Sequence, residues 1–190
     1  MSWMLLLAEA LAAGPDLQDE GVSVVVRGIG ESWDEPTLTE DYVPGALLAG
    51  VGVVVPLHSM VVLDLEFAAG RWKGSPVDCS GTCESTLTLK PVSLVVEARM
   101  PLERGYAFAG AGLSLAVFNE SAPTKVTLGQ IGSLDLRGGL RWDLGLELDR
   151  TKGTFLELYG GRRMQRDEYG TVDGYDLAAW RGSLGVGFTF

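Results

Sequence analysis

The stretch that decides the fold is Leu134-Asp-Leu-Arg-Gly-Gly-Leu-Arg-Trp-Asp-Leu-Gly-Leu-Glu-Leu-Asp149. Leu or Trp occupies most of the even-numbered positions, and Asp, Arg or Glu occupies most of the positions between them. Successive side chains of a β-strand point to opposite faces, whereas a helix brings every third or fourth residue together. The stretch therefore predicts a strand with one apolar and one charged face.

The same alternation recurs along the rest of the chain. In the last segment, Trp180, Leu184 and Val186 fall on one side, and Arg181 and Ser183 fall on the other. Glycine and alanine weaken the pattern around 46–55 and 105–117, where they occupy most of one face. Eight strands are predicted, near residues 21–30, 45–56, 59–71, 85–99, 104–118, 132–148, 153–165 and 178–190.

The predicted connections alternate in length. Long polar connections follow the odd-numbered strands, at 31–44, 72–84, 119–131 and 166–177, and tight ones follow the second, fourth and sixth, at 56–58, 100–103 and 150–152. Long loops at one rim and short turns at the other are typical of small up-and-down membrane barrels. Pro91 lies inside the fourth predicted strand, where its missing amide donor predicts a local break in pairing.

Size and charge narrow the class of protein. A chain of 190 residues fits one domain, which we place at 21–190. The formal charge of −10 argues against electrostatic attraction to the phosphates of nucleic acid or to anionic lipid headgroups as a driving force for binding. Apolar residues make up 46% of the chain, yet no apolar run approaches the roughly 18 residues of a membrane-spanning helix. Two explanations of the high apolar content remain, a large soluble core and a membrane-spanning sheet.

The size of the side chains favours the membrane sheet. The interior of an eight-stranded barrel is only just wide enough for its own side chains. Small residues are therefore expected inside, among them Gly50, Gly52, Gly110, Gly112, Gly139, Gly185 and Gly187. With those inside, the larger apolar side chains face hydrocarbon. The prediction is an all-β, eight-stranded antiparallel up-and-down transmembrane β-barrel.

This orientation places most charged residues of the strands inside the barrel. Because an isolated buried charge is costly, we expect opposite charges to pair, fill the lumen and serve structure rather than substrate binding. The predicted interior charge network is Arg27, Asp64, Glu66, Glu97, Arg99, Asp135, Arg137, Arg141, Asp143, Glu147, Glu157, Arg163 and Arg181.

Aromatic residues near strand ends predict a girdle at each membrane interface. The girdles comprise Trp33, Tyr42, Trp72 and Trp180 toward the long loops, and Tyr106, Phe155, Phe188 and Phe190 toward the short turns. The long loops also carry acidic residues, which we expect to be solvated because no EF-hand-like ligand spacing appears. They are Glu31, Asp34, Glu35, Glu40, Asp41, Asp167, Glu168, Asp173 and Asp176.

Two short segments bear on export. Residues 1–20 contain an apolar stretch and small residues but also Glu9 and no basic start, so they are either a residual secretory signal or a short amphipathic helix. Cys79 and Cys83 are the only cysteines, and in an exported protein they predict a disulfide, with two unpaired thiols as the alternative. A metal site is not expected, because no second cysteine pair and no nearby histidine complete a ligand set.

The chain resembles the OmpA/OmpX-type small outer-membrane β-barrels. The final segment, Ser183-Leu-Gly-Val-Gly-Phe-Thr-Phe190, is similar to the family's C-terminal assembly signal, with Ser183, Gly185, Phe188 and Phe190 in its four places. A second match is 91–101 followed by the Gly-rich run 106–113. The resemblance implies location in the Gram-negative cell outer membrane and recognition of the last strand by the barrel-assembly machinery.

We expect a structural or interaction protein that anchors four extracellular loops and has no cofactor. Its expected partners are outer-membrane lipid and lipopolysaccharide, the assembly machinery, and an envelope protein bound through the loops. A small pore or a carrier of an apolar ligand is the alternative, suggested by the glycines of the second and fifth strands. A lipid A-modifying enzyme is the remaining candidate, with His58, followed by Ser59, as its base. Because His58 falls in a predicted periplasmic turn, we expect no enzyme.

Overall fold

The computed structural model describes residues 21–34, 46–74, 84–121, 126–146, 152–165 and 178–190. They form eight strands: β1 (Ser23–Trp33), β2 (Ala46–His58), β3 (Val61–Gly74), β4 (Ser85–Leu102), β5 (Gly105–Ser121), β6 (Val126–Asp143), β7 (Gly153–Gln165) and β8 (Ala179–Thr189). Each strand pairs antiparallel with the next, and β8 pairs with β1, so that the sheet closes. The predicted all-β, eight-stranded up-and-down barrel is confirmed.

The seam between β1 and β8 runs from the pair Ser23–Thr189 to the pair Trp33–Ala179. Closure gives the backbone N–H and C=O groups of both strands partners on either side, which a sheet surrounded by hydrocarbon requires. Along both strands, buried and exposed side chains alternate. In the described part of the chain, no helix is long and apolar enough to cross a membrane.

Two connections differ from their predicted lengths. β5 continues to Ser121 and β6 begins at Val126, so only 122–125 separate strands where a long loop was predicted at 119–131. At the opposite rim, β6 ends at Asp143 and β7 begins at Gly153, so the turn predicted at 150–152 is part of a longer connection. Gly145 has a φ of +66°, a left-handed conformation that takes the chain out of the strand although the alternation of leucines continues.

Pro91 interrupts the pairing of β3 with β4, as predicted. The paired residues stop at Phe67–Val92 and resume at Gly70–Leu89, and Pro91 lies within that gap. Proline has no N–H to donate, so β3 loses a ladder hydrogen bond at this level. On its other side β4 remains in register with β5 through Pro91 and Ala116.

The barrel interior is layered. A large apolar cluster lies toward the long-loop rim, the end where β1 finishes and β2 begins, and smaller apolar clusters lie toward the short-turn rim. Along β3, Asp64 and Glu66 lie between Val62 of a lower cluster and Ala68 of the upper one. The charged side chains therefore occupy the middle of the barrel.

Candidate functional site

The described interior holds equal numbers of positive and negative side chains. Six arginines and six carboxylates are buried there: Arg27, Arg99, Arg137, Arg141, Arg163 and Arg181, with Glu31, Asp64, Glu66, Glu97, Asp135 and Glu157. Each reaches the lumen because its position in its strand has the inward-facing parity. Charges buried in this way are tolerated when each has partners of opposite sign.

Arg27 of β1 is the centre of the lower part of this network. Its guanidinium contacts Asp64 at 2.5 Å and Glu66 at 3.0 Å, both on β3. Its Nε donates a hydrogen bond of 2.8 Å to Glu157 of β7. One side chain thus joins strands on opposite sides of the lumen through charge-assisted hydrogen bonds, which are stronger than neutral ones.

Arg137 of β6 reaches the same carboxylates from another direction. Its Nη2 lies 2.7 Å from Asp64 and 2.9 Å from Glu97 of β4. Its guanidinium carbon lies 5.3 Å from the ring centroid of Tyr159, within the range of a cation–π interaction. The Tyr159 hydroxyl donates a 2.9 Å hydrogen bond to Glu66. Asp64 of β3 is therefore shared between Arg27 and Arg137.

Arg181 of β8 extends the network toward the long-loop rim. It contacts Glu66 at 2.8 Å, Asp135 at 2.6 Å and Glu31 at 3.0 Å. Glu31 also accepts two hydrogen bonds from Arg163, of 3.0 and 2.8 Å, in the parallel geometry that suits guanidinium and carboxylate. These contacts link β8, β7, β6, β3 and β1 in one connected set.

Aromatic rings cover the arginines nearer the short-turn rim. The guanidinium carbons of Arg99 and Arg141 lie 3.9 and 4.9 Å from the ring centroid of Tyr106. Arg141 also lies 3.6 Å from the ring centroid of Phe155 and 3.2 Å from Glu157. Ring faces carry partial negative charge, so these contacts stabilise the two cations.

The structure places eleven of the thirteen predicted network residues inside the barrel. The prediction for Asp143 is wrong: this side chain is exposed, because β6 ends there at the short-turn rim. Glu147 lies outside the described residues. Glu31 was predicted in a solvated loop but is buried in β1. Extending the alternation from Arg27 to Glu31 would have found it.

Four aromatic residues predicted to lie in the girdles are instead inside. Trp33, Tyr106 and Phe155 are buried, and the half-buried Trp72 packs edge-on against Trp33 with ring centroids 5.5 Å apart. Each has the inward parity of its strand, which proximity to a strand end does not override. Trp180 and Phe190 are exposed on the outer side, Phe188 is half-buried, and Tyr42 lies outside the described residues.

Sequence reasoning also missed the apolar cluster inside the long-loop half. Its largest members, besides the tryptophans, are Ile29, Leu48, Leu87, Leu89, Phe118 and Ile131. β2, β4 and β5 carry apolar residues on both faces here, so alternation does not mark the inner one.

His58, the one candidate base, lies at the end of β2 beside Ser59. The Ser59 hydroxyl is 3.1 Å from Nδ1 of His58, and both groups are exposed at the short-turn rim. Within the described ranges, no group of three or more His, Cys, Asp or Glu side chains is arranged to hold a metal ion. The predicted disulfide between Cys79 and Cys83 and the segment 1–20 lie outside those ranges.

The outer surface of the barrel is apolar where the middle of the interior is charged. The exposed mid-strand positions carry large apolar side chains, including Leu94, Leu113, Leu134, Leu158 and Leu184. A water-soluble monomer rarely exposes a continuous apolar surface of this extent. An apolar band around a polar interior is the arrangement of a membrane-spanning barrel.

Solved structures of small outer-membrane barrels share this fold. The outer membrane protein OprG from Pseudomonas aeruginosa matches with a TM-score of 0.58 at 10% identity, over 90% of this chain and 96% of that one. Ail, the attachment invasion locus protein of Yersinia pestis, solved in complex with the heparin analogue sucrose octasulfate, gives 0.53 at 14% identity over 90% and 99%. The N-terminal β-barrel domain of Pseudomonas aeruginosa OprF gives 0.51 at 16% over 88% and 97%. No family model and no curated protein matches the sequence.

The fold and the apolar exterior define an integral membrane β-barrel. Its architecture is that of the OmpA/OmpX-type small barrels, which confirms the resemblance found in the sequence.

Proposed function

We propose that this chain is a structural and interaction protein, a closed barrel that anchors its extracellular loops and catalyses no reaction. In this proposal the loops contact another component of the envelope or a surface outside the cell. The last strand, with Ser183 and Gly185 facing inward, is the element that the barrel-assembly machinery recognises.

The observation that carries the proposal is the set of ion pairs across the lumen. Arg27 joins β1 to β3 and β7, Arg137 joins β6 to β3 and β4, and Arg181 joins β8 to β3. An ion crossing the barrel would have to separate these pairs, and leaving one buried partner uncompensated is costly. The apolar cluster toward the long-loop rim adds a second barrier in series.

Two further points support the interaction role over the enzyme. Ail, a similar barrel, is by its name an attachment protein. His58 contacts only its sequence neighbour Ser59 among the described side chain–side chain hydrogen bonds, and it sits at the rim opposite the long loops. A general base must lie within hydrogen-bond reach of the group it deprotonates, and outer-leaflet lipid lies at the other end of the barrel.

Purified barrel in a planar lipid bilayer is expected to give no ohmic current steps in concentrated potassium chloride. The variant Arg27→Ala/Arg137→Ala/Arg181→Ala, which removes the cross-lumen pairs, is the matched comparison and should leak if it folds. Regular steps from the wild-type protein, in proportion to the amount inserted, would contradict closure. His58-dependent loss or gain of lipid A acyl chains, followed by mass spectrometry, would contradict the non-enzymatic part.

A further inference from the structure

A basic patch lies on the outer face near the long-loop rim. Arg71 and Lys73 of β3 and Lys90 of β4 are exposed there, and the alternation of buried residues on both strands turns all three outward. Arg71 pairs with Thr88 and Lys73 with Thr86, so Lys90 lies diagonally across from Arg71. Residues so placed lie within about 8 Å of each other. We call these three residues the basic patch.

An apolar groove adjoins this patch on the same face. It has a volume of about 740 Å³ and is lined on β4 by Val92 and Leu94, and Val92 is the next outward-facing residue after Lys90. Its floor follows the strand register, with Val92 beside Leu115 and Leu115 beside Gly132. The wall is completed by leucines of β5 and β6 and by Met164 of β7.

Gly132 makes the depression at the centre of this groove. A Cβ placed on it would meet no atom within 4 Å, so the missing side chain leaves open space on the surface. The groove has the size of a small-molecule site and a mostly apolar lining. Its ligand should therefore be largely hydrocarbon.

The end of the groove near Met164 lies at the level of the membrane interface. Arg162, two residues from Met164, places its guanidinium carbon 4.8 Å from the ring centroid of Trp180, which is exposed on the outer surface. Outward-facing tryptophan prefers the headgroup level of a membrane. A ligand in the groove would thus have its polar end among headgroups at the basic patch and its apolar end in hydrocarbon.

We propose that the groove and the basic patch together bind one anionic, acylated lipid of the outer leaflet. Its phosphate contacts Lys90 and Arg71, whereas the charge of Lys73 is offset by Glu84 at 3.2 Å, and an acyl chain lies over Gly132. The six buried carboxylates and the six buried arginines cancel, so they leave the chain's charge of −10 unchanged. However, electrostatic attraction acts over only about 8 Å at physiological salt. The charge of the basic patch, rather than the net charge of the chain, therefore determines whether an anionic headgroup is attracted there.

Binding of diphosphorylated lipid A to the full-length barrel in detergent micelles tests the proposal by native mass spectrometry. The variant Arg71→Glu/Lys90→Glu should weaken binding by about tenfold or more, since basic side chains at a membrane surface attract anionic lipid additively. Gly132→Leu should weaken it several-fold by filling the groove. The neutral pair Arg71→Gln/Lys90→Gln replaces the charge reversal if that variant does not fold.

Matched controls lie elsewhere on the barrel. Arg104→Glu, a single charge reversal in the β4–β5 turn, is the control for Arg71→Glu alone, and Gly182→Leu fills an equally open glycine position on the outer face of β8. Both should bind like wild type, whereas lipid A without phosphates and inorganic phosphate alone should bind at least about tenfold more weakly. The proposal is overturned if phosphate-free lipid or free phosphate binds as tightly, or if the controls weaken binding as much as the patch and groove variants.

Discussion

Replacing Glu66 with glutamine should destabilise the folded barrel by about 3 to 5 kcal/mol, because the change leaves buried arginines without a counter-charge. Glu66 lies 3.0 Å from Arg27 and 2.8 Å from Arg181, and it accepts the Tyr159 hydrogen bond. Glutamine keeps the shape but not the charge. Urea-dependent unfolding in lipid vesicles measures the free energy, with the midpoint and slope fitted separately.

Glu84→Gln is the control for Glu66→Gln. Glu84 also pairs with a cation, Lys73 at 3.2 Å, but both side chains are largely exposed. Exposed ion pairs contribute about 0 to 1 kcal/mol, so this variant should unfold almost like wild type. The double variant Glu66→Gln/Arg181→Gln restores neutrality and should cost less than the sum of its single changes. Equal effects of Glu66→Gln and Glu84→Gln would show that the network does not stabilise the barrel.

Leu158→Arg is expected to cost about 2 to 4 kcal/mol, the penalty for arginine on the lipid face near the middle of a bilayer. Leu158 lies in the middle of β7, faces outward and is 57% exposed. The same change on a water-exposed surface would be nearly neutral, because arginine is well hydrated there. The unfolding free energy in vesicles is again the measurement.

Leu128→Arg provides the comparison at another height. Leu128 is 66% exposed on β6, five residues beyond Ser133, where the pairing with β7 begins. Near or beyond the interface the cost of arginine falls to about 0 to 1 kcal/mol. Two equally small costs would indicate that water, not hydrocarbon, surrounds the strands.

Alternation of side chains was sufficient to predict the number of strands, their order and the orientation of the sheet. It was sufficient because the two faces of β6 and β8 differ in polarity along most of their length. The position of a charge in the interior then follows from parity alone, as Arg27, Asp135 and Arg181 illustrate.

The wrong predictions concern residues whose polarity suggests one side of the sheet and whose position in the alternation places them on the other. Glu31 looked like a loop residue because it is acidic and close to other acidic residues, yet it completes the inward row of β1 beside Arg163 and Arg181. Trp33 of β1 and Phe155 of β7 were predicted to be interface aromatics, yet each has the inward parity of its own strand and is buried. The partner of each charge depends on the stagger between strands, which a single sequence does not contain.

The two ends of β6 are also not predicted by the alternation of side chains. The alternation of apolar and polar residues continues past Asp143, but the strand ends there and Gly145 has a positive φ. Glycine adopts positive and negative φ about equally readily, so the sequence does not predict this end of the strand. At its start, β6 pairs with β5 from Val126, six residues before the predicted beginning. That extension depends on a partner strand rather than on local pattern.

Spin labels on two adjacent residues of β8 test most directly which face of the sheet meets lipid. On a Cys79→Ser/Cys83→Ser background, labels at Leu184→Cys, outward and 61% exposed, and at Ser183→Cys, inward and buried, are compared by power saturation. The label at 184 should be accessible to oxygen, which concentrates in hydrocarbon, and shielded from a water-soluble nickel chelate, while the label at 183 should be shielded from both. Strong relaxation of the label at 184 by the nickel chelate would contradict a hydrocarbon-facing exterior.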